Sequence, residues 1–355
     1  MKKSYLMMAA AATMFAACTQ ADFVNPVPET EQEIGFDNHV GKTTRAEIVD
    51  EYALAAEGGF VVWGWKTPTS NKAWASATPI FEGVNVFASA IAGVAGANTT
   101  WTYTNKKYWD KTSTYNFYAV APYNPTSGTY SISGAADGLI TITGAQSALA
   151  SVSDDFLIDR NGAKGVDGAA VNTEGKHNAV GFDFNHVMAK VTLQLLSNDI
   201  NEGDVITVTK LTMSGWNGKN GVFTQKAVST PTTTTDITEW EFVQGGEAVP
   251  GSVTFNQGYT LNETTAVAVE DSYIMVPQTI AASTLKFTVD FTITYGAGGS
   301  ENFVGHEGTL ATAQTWGTDT HTTYTIKVGP QPIEFDVNTV KGFTNTVTPG
   351  DLPIE

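Results

Sequence analysis

"WTYTNKKYWDKTSTYNFYAVAPYN", residues 101–124, is the stretch on which the fold turns. Trp101 and Tyr103 alternate with threonine, a polar run follows, and Tyr115, Phe117, Ala119 and Ala121 resume the period of two. Side chains of a strand point to opposite faces in turn, so this pattern predicts a strand, a turn and a second strand, each with one apolar face.

The same signature spreads in both directions. "GFVVWGW" (59–65) and "GVNVFA" (83–88) are short apolar runs bounded by Gly, Pro or Asn. "GTYSISGAADGLITITG" (128–144) predicts a hairpin about Asp137-Gly138, a turn pair that accepts positive backbone angles at little steric cost. "DDFLID" (154–159) adds another strand. A Gly- and Asp-rich interval, residues 160–180, then interrupts the pattern and marks a boundary near residue 180. Beyond it, "FDFNHVMAKVTLQLLSN" (182–198), "DVITVTKLTMSGW" (204–216), "GSVTFNQ" (251–257), "TAVAVEDSYIMVPQ" (265–278), "STLKFTVDFTITYGAGG" (283–299) and "HTTYTIKVGPQPIEFDV" (321–337) supply closely spaced strands, the spacing of a second sandwich. "STPTTTTDIT" (229–238) reads as a loop and "GAGGSENF" (296–303) as a hairpin tip. Apart from a turn or two in "SALASV" (147–152), no segment carries a helical apolar stripe.

Composition agrees with an all-β chain. Its 355 residues suffice for two cores, and charged residues make up only 15%. A net charge of −17 with 19 basic residues argues against a nucleic-acid partner, whose phosphates require clustered Lys and Arg.

The beginning of the chain reads as an export signal. Lys2 and Lys3 precede the apolar "YLMMAAAATMFAA", and small residues lead to Cys18, the only cysteine. That placement matches a lipobox, whose cysteine carries the lipid that attaches the chain to a membrane. "TQADFVNPVPETEQE" (19–33) is too polar to hold a fold and reads as a tether. "IGFDNHV" (34–40) then places Ile34, Phe36, Asn38 and Val40 on one side of a strand. An exposed "KTTRAE" loop (42–47) follows, holding Arg45, one of two arginines; the other, Arg160, lies in a Gly-rich loop.

Catalytic signatures are missing. His39, His177, His186, His306 and His321 are scattered without metal-ligand spacing, and there is no G-x-S-x-G elbow, P-loop or dinucleotide fingerprint. His186 reads as a strand histidine satisfied by local hydrogen bonds. Asp154, Asp155 and Asp159 depart from an EF-hand and read as a solvated loop rather than a calcium site. The aromatic group around Trp101, Tyr103, Tyr108, Trp109, Tyr115, Phe117, Tyr118 and Tyr123 admits two readings. One is a packed sandwich interior and the other a platform for glycans, centred on Trp109, on a monomeric surface lipoprotein.

Several motifs in one order resemble the fimbrillin family of Bacteroidales pilins. They are the lipobox at Cys18, "IGF" and "VGKTTRA" (34–46), the aromatic pattern from Trp101 to Pro122, "F-x-H-x-x-AKV" (184–191), "YIMVPQT" (273–279) and the closing pattern from Trp316 to Phe335. The resemblance implies two tandem transthyretin-like β-sandwich domains with Greek-key-type antiparallel sheets, and no enzyme activity or cofactor. It implies a signal peptide over 1–18, a propeptide with a removable first strand over 19–45, an N-terminal sandwich over 46–180 and a C-terminal sandwich with a donor tail over 181–355. A surface protease would cut between Arg45 and Ala46, and loss of Ile34, Phe36 and Val40 would open a groove for a strand of another pilin. The donor expectation falls on Ile333, Phe335 and Val337, continued by Phe343 and Val347 on the same parity. An outer-membrane lipoprotein precursor would thus become a surface fimbria, as a shaft subunit, with tip and anchor roles as alternatives.

Overall fold

The computed structural model describes residues 32–40, 51–70, 77–90, 99–123, 131–134, 140–145, 155–159, 163–217, 221–225, 240–244, 250–261, 265–269 and 272–341. Within them the chain is all-β, interrupted by one short helix.

The elements up to the first change of core are β1 (Phe36–Val40), α1 (Glu51–Ala56), β2 (Phe60–Pro68), β3 (Thr78–Ala90), β4 (Thr100–Thr102), β5 (Ser113–Ala121), β6 (Ser131–Gly134), β7 (Ile140–Ala145), β8 (Leu157–Asp159), β9 (Ala163–Asp167) and β10 (Val180–His186). One eight-stranded sheet has the order β1-β10-β8-β5-β2-β3-β4, with β9 beside β5. It encloses an aromatic core of Phe36, Phe60, Phe81, Trp101, Tyr103, Trp109, Tyr115, Phe117, Phe182 and Phe184. The strand-turn-strand reading of residues 101–124 is thus correct: β4 and β5 flank the polar turn, and β5 is buried at every position.

The second group is β11 (Ala189–Ser197), β12 (Val205–Asn217), β13 (Gly221–Gln225), β14 (Trp240–Gln244), β15 (Pro250–Phe255), β16 (Tyr259–Leu261), β17 (Val267–Ala268), β18 (Tyr273–Met275), β19 (Gln278–Ile280), β20 (Lys286–Thr294), β21 (Ser300–Thr309), β22 (Gln314–Trp316), β23 (Thr320–Val328) and β24 (Glu334–Lys341). A sheet ordered β17-β11-β23-β24 and another ordered β15-β12-β20-β21 share one core. Leu193 and Leu195 of β11 and Tyr324 and Ile326 of β23 join Ile206, Val208, Phe287 and Val289 of the facing strands. Each sheet gives alternate residues to that interior, as two packed faces require.

The cores change over between Phe184 and Ala189, one strand beyond residue 180, because Val180, Phe182 and Phe184 pack with the first. A small sheet, β14-β13-β7-β6, crosses that division by pairing β7 with β13. Two pairings depart from the antiparallel expectation: β1 runs parallel to β10, and β11 to β23.

Three local readings need correction. The sequence "EYALAA" forms α1, only six residues long, which seats Leu54 and Ala55 in the first core. Its end is a Schellman motif, in which Gly59 N–H bonds Leu54 C=O and Gly58 N–H bonds Ala55 C=O, with Gly58 at φ 86°. The interval 160–180 contains β9, paired with β5. "SENF" is no hairpin tip but the start of β21, an outer strand on β20. The "STPTTTTDIT" loop and "SALASV" lie outside the described residues.

Candidate functional site

The site is the slot that the first strand fills. Ile34 is fully buried and Phe36 is 5% exposed. The Phe36 ring meets Phe81 edge-on at 5.2 Å, Tyr103 at 5.5 Å, Phe117 at 5.9 Å and Phe182 in a stack at 5.9 Å. Burying each of these side chains is worth about 1.5–3 kcal/mol, so the strand is a structural member of the core. Its backbone pairs Phe36 with Val180, Asn38 with Phe182 and Val40 with Phe184 at the edge of the sheet.

A second set of contacts precedes the strand. Ile34 N–H donates to Lys107 C=O at 2.8 Å and Trp109 N–H to Gln32 C=O at 3.0 Å, so residues 32–34 form a short ladder with the turn between β4 and β5. Tyr103 Oη donates to Ile34 C=O at 2.9 Å. Gln32 reaches across to His177, its Nε2 donating to the His177 carbonyl at 2.8 Å while its Oε1 accepts the His177 N–H. Lys106 Nζ meets Glu33 Oε1 at 2.6 Å and lies 4.5 Å from the Tyr103 ring centre. The side chains of this ion pair are more than a third exposed, so it adds at most about 1 kcal/mol.

The electrostatics follow from that packing. Burial pushes the Tyr103 hydroxyl up to about 12, keeping it a neutral donor to Ile34. Desolvation, followed by the nearby Lys111, lowers the pKa of His177, whose ring stacks on Trp109 at 4.5 Å. Asp110 is held well below the usual carboxylate range, first by the Thr112 hydroxyl, then by the Thr112 N–H, Lys66 and Ser113. Its carboxylate thereby shapes the turn that holds residues 32–34.

The residues expected from sequence fall as follows. Ile34 and Phe36 converge in the slot, and Val40 continues the backbone pairing. Ile333, immediately before β24, and Phe335 and Val337 within it alternate along the chain, and the cover fades from Ile333 (8% exposed) to Val337 (41%). β24 itself pairs with β23 in the same chain. Cys18, Arg45, Ala46, Arg160, Phe343 and Val347 lie outside the described residues. Gln32, Lys106 and the hydroxyl role of Tyr103 escaped the sequence reading, which took Tyr103 only as a ring, since such long-range polar contacts leave no periodic trace.

The other candidate chemistries resolve into packing. Trp101, Tyr103, Trp109, Tyr115, Phe117 and Tyr118 are at most 9% exposed, the interior reading; Tyr108 (47%) and Tyr123 (43%) are open. His186 Nδ1 lies 2.8 Å from Asp155 Oδ1, and both residues are buried. Asp155 and Asp159 are therefore buried rather than solvated, because one meets His186 and the other sits on β8 against β10. Among the described residues no three His, Cys, Asp or Glu side chains are grouped to hold a metal, and no helix is long and apolar enough to cross a membrane.

Fold and site together define an all-β chain whose first strand completes a core from the sheet's edge. The family model described as fimbrillin-like matches residues 44–349, and the chain belongs to that family of fimbrial proteins, which are not enzymes. The fimbrium subunit Fim1C of Phocaeicola vulgatus is 30% identical over 229 residues, 60% of this chain and 55% of that protein. The match thus spans about half the length of this curated relative. A crystal structure of a fimbrial protein from Bacteroides vulgatus shares the fold with a TM-score of 0.58 at 19% identity, covering 88% of this chain and 100% of that one.

Proposed function

We propose that the chain is a fimbrial shaft subunit that assembles by protease-triggered strand exchange and supports adhesion. It is exported with the signal of residues 1–18, lipidated on Cys18 and held at the outer membrane until a protease cuts between Arg45 and Ala46. The N-terminal unit then runs from residue 46 through β10, and the C-terminal unit from the change of core between Phe184 and Ala189 to residue 355. Departure of residues 34–40 bares the apolar slot and the unpaired backbone of β10, which a strand from the 333–347 segment of another copy re-covers. Such a head-to-tail contact does not close on itself, so it builds a filament.

One observation carries this reading: β1 completes the first core yet occupies an edge position, with Phe36 against four aromatic rings and, among the described residues, only β10 as its strand neighbour. An edge strand leaves without disrupting any ladder but its own. The test is the N-terminal sequence of the protein recovered from the cell surface. A start at Ala46, with filaments lost in Arg45→Ala, is the expected result. An uncut N-terminus in assembled filaments, or a first cut at Arg160 in folded protein, overturns it.

A further inference from the structure

The sequence of β1 occurs twice. Residues 35–40 read Gly-Phe-Asp-Asn-His-Val and residues 342–347 read Gly-Phe-Thr-Asn-Thr-Val, identical at four of six positions. After the glycine, the identities fall on one parity: Phe36, Asn38 and Val40 against Phe343, Asn345 and Val347. Among the described side chains of β1, Phe36 and Asn38 are buried, whereas Asp37, replaced by threonine in the second copy of the pattern, is exposed. The likeness therefore follows the face that enters the core. Its asparagine is informative, because Asn38 is 5% exposed with neither amide atom hydrogen-bonded. An apolar slot alone gives no reason to select an asparagine at the same offset from a phenylalanine.

We infer that the slot beside β10 is built to receive residues 342–347 of a second copy in the register of β1. Phe343 takes the place of Phe36 opposite Val180, Asn345 stands opposite Phe182, and Val347 opposite Phe184. This rests on the strand-exchange reading above and divides its donor segment. β24 stays on β23 in its own chain through eight paired residues, and docking starts at Gly342. A rival register would align Ile34-Gly-Phe36-Asp37 with Ile333-Glu-Phe335-Asp336. Ile333 is only 8% exposed and Phe335 lies 5.3 Å from Phe287, so that choice would open the second core to close the first.

The test starts from full-length protein nicked at Arg45, with polymer growth followed by light scattering. A synthetic peptide of residues 341–355 is expected to cap the slot and halt growth. Its Phe343→Ala version should bind about a hundredfold more weakly, the scale of truncating a buried Phe. Register is read separately by thiol cross-linking in a Cys18→Ser background. Asp37 pairs with Gly181, where an added Cβ meets nothing within 4 Å, so Gly181→Cys with Thr344→Cys should cross-link nicked subunits into a ladder. Thr346→Cys with Gly181→Cys should not. The inference is overturned if polymers form but the 341–355 peptide does not compete, if a 332–341 peptide blocks growth instead, if Thr346→Cys is the variant that cross-links, or if the cross-link closes within one chain. If nicked wild-type protein never assembles, strand exchange itself falls, an outcome distinct from polymers in another register.

Discussion

Asp110 shows how one side chain can set the strength of a whole site. Its carboxylate accepts the Thr112 N–H at 2.9 Å, the Thr112 hydroxyl at 2.7 Å, the Ser113 hydroxyl at 2.8 Å and Lys66 Nζ at 3.0 Å. These bonds favour the charged form and depress the folded pKa. The sign follows: stability from the ionised group is fully present above the unfolded value of about 3.9 and is lost as pH falls below it. Asp110→Asn should therefore be less stable than wild type near neutrality, and the gap should close in acid. Urea-unfolding midpoints across that range are the measurement; a gap independent of pH would mean that shape rather than charge matters. The side chain is 37% exposed, so solvent screens the effect. Because Trp109, which bonds Gln32, adjoins Asp110, acid should also loosen the hold on the first strand.

At the scale of elements, the first strand is held by two unlike devices, the ladder of β1 on β10 and the contacts of residues 32–34 with the turn and with His177. Gln32→Ala removes the two-point bond to the His177 backbone. At about 1 kcal/mol per hydrogen bond, the loss is about 2 kcal/mol, or roughly 30-fold faster release of the strand from nicked protein. Chromatography of nicked chain with and without its N-terminal fragment measures that rate, and an unchanged half-life would assign retention to β1 alone. The two devices were unequally legible in the sequence. Ile34 and Phe36 announce themselves by parity, as do Phe287, Val289, Phe291 and Ile293 of β20, because one-sided burial imposes a period of two. Gln32 does not, since its partner is a backbone 145 residues away. β21 hid because it is an outer strand, exposed at most positions and kinked by Gly305 at φ 66°, so no buried face marks it. α1 is too short to show a helical stripe, and the parallel pairing of β1 joins residues too distant for local sequence to connect.

Across the whole molecule, the two cores are linked through Val187 and Met188, both fully buried, and through the sheet β14-β13-β7-β6. In that sheet β7 is an inner strand, Thr143 pairing with Ser131 of β6 on one side and Val222 of β13 on the other. A subunit that passes tension along a filament needs its two ends to yield together, and a shared ladder provides that where a single connecting segment does not. Proline at position 143 lacks a backbone N–H and fits poorly inside a sheet. Thr143→Pro is therefore expected to uncouple the cores, because it breaks the β7–β13 ladder that joins the elements before and after the change of core. Calorimetry should resolve two unfolding transitions in the variant where wild type gives one, with the slot still able to bind a strand. Two transitions already present in wild type would instead assign the small sheet no mechanical part. A single transition retained in the variant would place the coupling in the buried Val187–Met188 connection.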